Sequence, residues 1–467
     1  MKTKVGIIGA GPAGLFCALT LAKANKDYEI TIFEKGNAIE NRKCTAMLKN
    51  LPCQKCRTCA ITEGEGGCGS FSDGKFPITN DFGGNLWEYI GREKSLELQY
   101  RVDGINKDLY TSAQGGEVKP FSFPAMHSSK GSVYKKICIQ HNLQLLNADI
   151  RHLGTDLGQI IYKELIKSLK DLGVKILTNT NVSEIKREND GTFIVKTPDI
   201  ISPQDIVVVA AGRSGSAWVK DICKSFDIPT ISNKIDLGIR FECPDEIWNH
   251  ITKDLYESKI VYRTKTYEDL VRTFCMNPSG AVVSENTERG VTVNGHSFED
   301  PELKTCNTNF ALLVSKTFTE PFNDSTEYGE AIIRLSNMLG RGVIVQRYGD
   351  LIRGKRSTKA RIAENSVRPT LNAEPGDLSL VLPKRILEDI LEMIQVLDHL
   401  VPGMTNDDNL LYGVECKHYN NVVKVDNNFE TIENLYFGGD GAGITHSLSQ
   451  ASANGIAIAE NILRKNL

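Results

Sequence analysis

The sequence lacks both an excess of charge and any long apolar run. Its 467 residues carry 55 Lys and Arg against 58 Asp and Glu, a formal net charge of −3. That balance excludes the polycationic surface of a nucleic-acid coat protein, so nucleic acid is not expected as a partner. No apolar stretch reaches the roughly 18 to 20 residues that a bilayer span needs, and we expect no membrane association.

The N-terminal segment lacks a usable signal-peptide core. Lys2 and Lys4 precede an apolar stretch over residues 5–21, but a Gly-rich turn at 9–14 interrupts it. Secretory h-regions rarely carry such a turn. We therefore expect a cytoplasmic protein.

Internal repeats and low-complexity linkers are also absent. The chain is 40% hydrophobic and 24% charged, which is typical of globular proteins. At about 150 residues per domain, its length allows about three domain-sized units.

The first 34 residues predict a strand, a tight turn and a helix in direct succession. Lys2–Ile8 is an apolar run typical of a buried parallel strand, and residues 9–14 form a GxGxxG pattern before apolar residues at helical spacing. A second strand, Tyr28–Phe33, ends at Glu34. This is the fingerprint of a dinucleotide-binding unit.

Each residue of the fingerprint has a physical role. Gly9 makes the tight turn, and Gly11 lets the backbone approach a pyrophosphate at the N-terminus of the helix, where free N–H groups favour negative charge. Gly14 lets the helix pack closely on the sheet. Glu34 is expected to accept hydrogen bonds from a ribose diol.

Two later segments favour FAD over NAD as the cofactor. Residues 435–443 read as a short strand and a Gly-rich turn, followed by a helix over roughly 447–463. Asp440 in that turn is placed to bind a ribityl chain. Residues 205–213 predict a third strand that ends in Ala-Ala-Gly.

These three elements, in this order, resemble the two-dinucleotide-binding-domain flavoprotein superfamily. Five more segments (64–75, 152–156, 271–278, 294–297 and 439–445) resemble a family of mostly uncharacterised bacterial FAD-dependent dehydrogenases. The resemblance spans nearly the whole chain and implies FAD and the fold, but no substrate. Cys68 departs from it, because a small residue such as alanine is expected there, and the departure places a thiol near the flavin.

The fold class that follows is α/β. We expect a discontinuous Rossmann-type FAD-binding domain, formed by residues 1–235 and 421–467, with an inserted mixed α+β substrate domain at 236–420. The residues predicted to bind the cofactor are Gly9, Gly11, Pro12, Ala13, Gly14, Glu34, Lys35, Gly67, Ser70, Asp73, Val182, Ala211, Gly212, Gly439, Asp440, Gly443 and Ile444.

A second strand-GxGxxG-helix unit is missing from the interior. Residues 340–342 have the sequence Gly-Arg-Gly but lead into a strand-like run. Any NAD(P)H would therefore have to dock transiently, or the electrons come from another source.

Four of the 12 cysteines fall within 16 residues, at Cys44, Cys53, Cys56 and Cys59. Their spacing resembles the start of an iron–sulfur ligand run, and four thiolates would also fit zinc. Redox-active thiols, a disulfide or unliganded cysteines are the alternatives. A cluster here would offer an entry point for electrons from a redox partner protein.

Candidates for chemistry at the flavin are Arg272, Cys275, His296 and His446. A histidine could relay a proton, since imidazole titrates near neutrality; each of the four also has a purely structural interpretation. Residues 347–368 hold seven basic side chains, which form either a solvated face or a contact for an anionic substrate.

The sequence predicts a FAD-dependent oxidoreductase, a dehydrogenase that acts on a small substrate by hydride or electron transfer. If the basic segment 347–368 contacts the substrate, that substrate is anionic. One alternative is an electron-relay reductase in which a cysteine-ligated iron–sulfur cluster feeds FAD. The other is a flavin-bound binding or RNA-modification-associated protein with little turnover.

Overall fold

The structure, a computed structural model, describes residues 2–24, 27–45, 54, 56–115, 123–255, 258–287, 289–297 and 301–465. The chain forms two compact units. The first comprises residues 1–127, 148–233 and 420–467, and the second comprises 128–147 and 234–419.

Strands and helices are numbered in chain order within the described residues. The strands are β1 (Thr3–Ile8), β2 (Tyr28–Phe33), β3 (Lys75–Ile78), β4 (Met126–Ser128), β5 (Leu143–Leu145), β6 (Asp149–His152), β7 (Lys175–Leu177), β8 (Glu184–Arg187), β9 (Phe193–Lys196), β10 (Ile201–Gln204), β11 (Ile206–Val209), β12 (Thr230–Ile231), β13 (Ile235–Pro244), β14 (Ile260–Arg263), β15 (Leu270–Asn277), β16 (Ala281–Thr287), β17 (Gly290–His296), β18 (Asn307–Lys316), β19 (Ile344–Arg347), β20 (Glu374–Pro375), β21 (Leu410–His418), β22 (Val422–Val423), β23 (Glu430–Ile432) and β24 (Leu435–Phe437). The helices are α1 (Pro12–Lys23), α2 (Leu86–Ile90), α3 (Arg92–Ala113), α4 (Tyr134–Gln140), α5 (Gly154–Asp171), α6 (Ser216–Ser225), α7 (Asp245–Thr252), α8 (Ser325–Gly340), α9 (Tyr348–Ile352), α10 (Lys359–Ala363), α11 (Lys384–Leu400) and α12 (Leu448–Lys465).

The first unit is built on a six-stranded sheet in the order β23-β24-β11-β1-β2-β7. All pairs are parallel except β23–β24. The central strands are continuous Val and Ile runs because helices cover a parallel sheet on both faces. Helices α1 and α12 pack closely, since a Cβ on Gly455 would lie only 2.1 Å from the Ala13 carbonyl oxygen.

The second unit is built on an eight-stranded, mainly antiparallel sheet in the order β20-β19-β21-β13-β18-β15-β14-β5. Helix α11 is amphipathic and buries Ile390, Met393 and Leu397 in the apolar core on one face of this sheet. On the opposite face, Asp236 of β13 lies across from Lys417 of the neighbouring strand β21. This polar face is where the charged residues of the unit collect.

The predicted α/β class, with a Rossmann-type domain and a second mixed domain, is confirmed. The predicted domain bounds differ from the structure mainly at residues 128–147, which the sequence assigns to the first domain and which belong to the second unit. The reason is that β5 pairs with β14, placing Leu145 opposite Ile260. Among the described helices, none is both long and apolar enough to cross a bilayer.

Candidate functional site

Three Gly-rich turns meet at the carboxyl edge of the parallel sheet in the first unit. A Cβ on Gly9, after β1, would lie 2.5 Å from the Ala210 carbonyl oxygen, and one on Gly441, after β24, would lie 1.8 Å from that of Ala211. These turns pack without side chains between them. The sequence segments that predicted a common nucleotide site are therefore adjacent in space.

The first turn leaves the N-terminus of α1 open. Gly9 has φ 111°, a left-handed conformation that favours glycine, and a Cβ on Gly14 would lie 2.0 Å from the Gly9 carbonyl oxygen. At Gly11, by contrast, a Cβ would meet no atom within 4 Å. This open space beside free N–H groups fits the approach of a pyrophosphate.

Glu34 is held by backbone amides. Its Oε1 accepts hydrogen bonds from the N–H groups of Gly36 and Gly64, each 2.9 Å, and its Oε2 accepts one from Ala10 at 2.8 Å. Each carboxylate oxygen can accept about two hydrogen bonds. Oε2 can therefore accept one more hydrogen bond, which fits one hydroxyl group of the ribose diol rather than both.

Arg42, which the sequence analysis missed, organises the loop over this site. Its buried guanidinium donates to the carbonyl oxygens of Glu65 at 2.6 Å and Gly67 at 2.8 Å, and to Ser70 Oγ at 2.7 Å. Two more donor atoms reach the carbonyls of residues 60 and 61. Burial lowers the pKa of Arg42, and Glu34 opposes that shift. No sequence signal distinguished this arginine from the exposed Lys43 beside it.

Asp440 lies at the third turn. Thr445 Oγ1 donates to its Oδ1 at 2.9 Å, and Arg213 Nε lies 3.6 Å from its Oδ2. Burial raises the pKa of Asp440, while Arg213 and Thr445 work against that shift. The carboxylate keeps acceptor positions free for hydroxyl groups, as a ribityl chain would require.

The other predicted cofactor residues divide into those that lie at or against the three turns and those whose side chains have other contacts. Gly67 lies against the first turn, where a Cβ on it would come 3.0 Å from the Gly11 Cα. Three are engaged elsewhere in the first unit: Lys35 pairs with Glu63 at 2.7 Å, Asp73 pairs with Lys75 at 3.1 Å, and Val182 is buried in the apolar core. Pro12 and Ala13 form the first turn of α1, Ser70 bonds to Arg42, and Ala211, Gly212, Gly439, Gly443 and Ile444 lie in the second and third turns.

The described residues do not assemble the predicted metal site. No group of three or more His, Cys, Asp or Glu side chains is placed to hold a metal within the part of the chain that is described. Cys44, Cys56 and Cys59 belong to that part, whereas Cys53 lies outside the described residues. Hydrogen bonds from Thr62 and Ile61 outweigh the effect of burial and lower the pKa of Cys59.

Arg272 lies in a cluster of polar side chains on the polar face of the second unit. Its Nη2 pairs with Asp236 and donates to the Tyr419 hydroxyl at 2.8 Å, and that hydroxyl donates to Asp236 Oδ2 at 2.6 Å. Lys234 Nζ lies 5.4 Å from the centre of the Tyr419 ring. We call these four residues the Arg272 cluster.

Cys275 and Asn294 converge on a buried ion pair that the sequence did not indicate. Arg240 and Glu415 are both fully buried and pair at 2.8 Å. Arg240 also donates to the Cys275 carbonyl at 2.8 Å and to Asn294 Oδ1 at 3.2 Å. Cys275 itself has φ 46°, an uncommon conformation for a residue with a side chain.

The two candidate histidines belong to different units. His296 ends β17 in the second unit and is exposed. His446 follows the third Gly-rich turn in the first unit, and its backbone N–H donates to the Gly83 carbonyl at 2.9 Å. Their catalytic roles stay predictions.

Three of the seven basic residues in the segment 347–368 make ion pairs. Arg347 and Arg361 both pair with the fully buried Asp350, and Arg353 pairs with Asp407 at 2.7 Å. This supports the interpretation of a structural, solvated face. The seven basic residues are Arg347, Arg353, Lys355, Arg356, Lys359, Arg361 and Arg368.

The parallel sheet and the three converging turns form a Rossmann-type nucleotide-binding unit, and two family models match parts of this chain. Residues 236–418 match the family model described as "FAD-dependent protein, C-terminal domain-like". Residues 7–39 match that of the NAD(P)-binding Rossmann-like domain.

Similar whole proteins are distant. An uncharacterised protein of Clostridium beijerinckii is 26% identical over 490 residues, covering 100% of this chain and 81% of that protein. Among solved structures, glycine oxidase from Geobacillus kaustophilus is 11% identical with a TM-score of 0.41, covering 99% of this chain and 95% of that one. L-proline dehydrogenase from P. horikoshii is 14% identical with a TM-score of 0.38, covering 99% and 94%.

Proposed function

We propose that this protein is a cytoplasmic FAD-dependent dehydrogenase that oxidises or reduces a small organic substrate. The observation that carries the proposal is the open space at Gly11, framed by the three converging turns. The matched domain at 236–418, described as that of a FAD-dependent protein, favours FAD over NAD as the occupant.

Each contact surface of the site has a distinct task in this proposal. The N-terminus of α1 binds the pyrophosphate through backbone N–H groups and the helix dipole. The remaining acceptor position on Glu34 receives one ribose hydroxyl, and Asp440 receives hydroxyls of the ribityl chain. Bound FAD supplies the hydride or electron transfer, while the chain supplies binding and orientation.

The experiment is to purify the full chain, record its visible spectrum and measure flavin per chain. We expect about one FAD per chain, bleached by dithionite and restored by air. Gly11→Ala should fold, because its Cβ meets no protein atom. Its flavin content should fall at least about tenfold, since the methyl group occupies the space of the pyrophosphate.

The matched control is Gly104→Ala in α3, where a Cβ also meets nothing within 4 Å. It should keep the flavin content of the natural chain. Absence of flavin from the natural protein, or a Gly11→Ala variant with full flavin, contradicts the proposal.

A further inference from the structure

The Arg272 cluster joins strands that are far apart in sequence. Asp236 lies in β13 and Arg272 in β15, and both strands pair with β18. Asp236 is fully buried and also accepts a hydrogen bond from Ser315. A buried carboxylate with this many donors fixes the guanidinium in one orientation.

Positive charge exceeds negative charge within the cluster. Arg272 and Lys234 contribute two cationic groups against the single carboxylate of Asp236. Burial lowers the pKa of Lys234, the carboxylate of Asp236 opposes that shift, and the neighbouring Arg272 adds to it. Burial raises the pKa of Asp236, but the two cations outweigh that effect and its pKa lies below the usual range. The four side chains of the cluster therefore carry one more positive than negative formal charge.

Arg272 also has donors left over. All its hydrogen bonds to described residues are made by Nη2, so Nη1 has none, and the buried Nε has no acceptor. The side chain is 17% exposed, so solvent reaches part of it. The Phe274 ring lies 4.8 Å from the guanidinium carbon and supports it from one side. A guanidinium held this way is prepared to receive an external acceptor.

We propose that the Arg272 cluster binds the carboxylate group of a small organic acid. The inference rests on the proposed function, in which that acid is the substrate. One excess positive charge matches a monoanionic carboxylate better than a phosphate dianion. The Nη1 of Arg272 donates to the carboxylate, Lys234 supplies the second charge, and Asp236 with Tyr419 holds the guanidinium in place.

Calorimetric titration of the flavin-loaded full chain tests this without any turnover. The probes are acetate, pyruvate, benzoate and inorganic phosphate, at constant ionic strength and pH 7.5. We expect at least one of the acids to bind more tightly than phosphate. Arg272→Lys, which keeps the charge beside Asp236 but loses the planar donor group, should weaken that binding at least about tenfold.

Lys234→Gln should weaken the binding of the same acid. Arg263→Lys, at an exposed position of the neighbouring strand β14, should leave the affinity for that acid unchanged. Thermal unfolding and flavin content of each variant show that it is folded. The proposal is overturned if no acid binds, if phosphate binds more tightly than every acid, or if Arg272→Lys binds as the natural chain does. Flavin content reports separately on the proposed function, so that the two failures are distinguishable.

Discussion

At the scale of single residues, the guanidinium of Arg42 holds together the loop beside the cofactor site. Its guanidinium serves five acceptors, four of them backbone carbonyls of residues 60–67. Lysine has one nitrogen and cannot reach them all. We expect Arg42→Lys to destabilise the chain by about 2–4 kcal/mol in urea unfolding, because several buried acceptors lose their donor, and to lower flavin retention.

Lys43→Gln is the matched control, since Lys43 is exposed beside Arg42. It should change the free energy of unfolding by less than about 0.5 kcal/mol. Equal effects of the two variants would show that the loop does not depend on the guanidinium.

Residues of the site could be predicted where chemistry forces their identity. Gly9 and Gly14 follow from backbone geometry, and the pattern around them is readable in sequence. Arg42 and the Arg240–Glu415 pair were missed because a charged residue in a sequence is usually exposed. The ion pair forms between segments far apart in the chain, Arg240 lying 175 residues from Glu415.

At the scale of elements, the contact between α1 and α12 depends on the absence of a side chain at Gly455. A Cβ there would lie 2.1 Å from the Ala13 carbonyl oxygen, so Gly455→Ala must push the two helices apart. We expect a loss of about 3 kcal/mol or more in the free energy of unfolding. Gly158→Ala in α5 makes the same change where a Cβ meets nothing, and should stabilise by about 0.5–1 kcal/mol. Urea unfolding of both variants checks this, and a stable Gly455→Ala variant would contradict it.

Helix α11 carries a carboxyl group that makes stability depend on pH. Asp389 is fully buried, and Thr264 Oγ1 donates to it at 2.7 Å. Burial, reinforced by Asp269, raises the pKa of Asp389 from 3.8 to about 6. Such a group contributes stability that is fully present below pH 3.8 and is lost as the pH rises through 6.

We therefore expect the free energy of unfolding to fall from pH 5 to pH 8, relative to Asp389→Asn, by on the order of 1–2 kcal/mol. Asp269 stays ionised in this range because its pKa is lowered by Arg385 and Lys316 despite its partial burial. Glu388→Gln, one residue away in α11, should keep the pH dependence of the natural chain. Parallel curves for the Asp389→Asn variant and the natural chain would refute the assignment.

Elements were predictable where their pattern is local. The buried strands β1, β2, β11 and β24 each read as apolar runs near their observed bounds, because a parallel sheet covered on both faces requires such runs. Strand β5 was not predicted. It is three residues long and takes its place from pairing with β14, 115 residues later in sequence, which no local pattern records.

At the scale of the whole molecule, the cofactor should stabilise the unit that it completes. The site is assembled from segments near residues 9, 34, 212 and 440, so that unfolding the first unit destroys it. A ligand that binds only the folded state stabilises it by about 2.7 kcal/mol at 100 times its dissociation constant. We expect the Tm of flavin-stripped protein to be lower by several degrees, and to rise with FAD concentration, as differential scanning calorimetry would record.

A comparison of FAD with AMP tests the third turn. Because Asp440 and this turn are expected to contact the ribityl and flavin half of FAD, AMP should raise the Tm less than FAD at equal concentration. An unchanged Tm with FAD, or equal effects of AMP and FAD, would mean that the three turns do not form a FAD site.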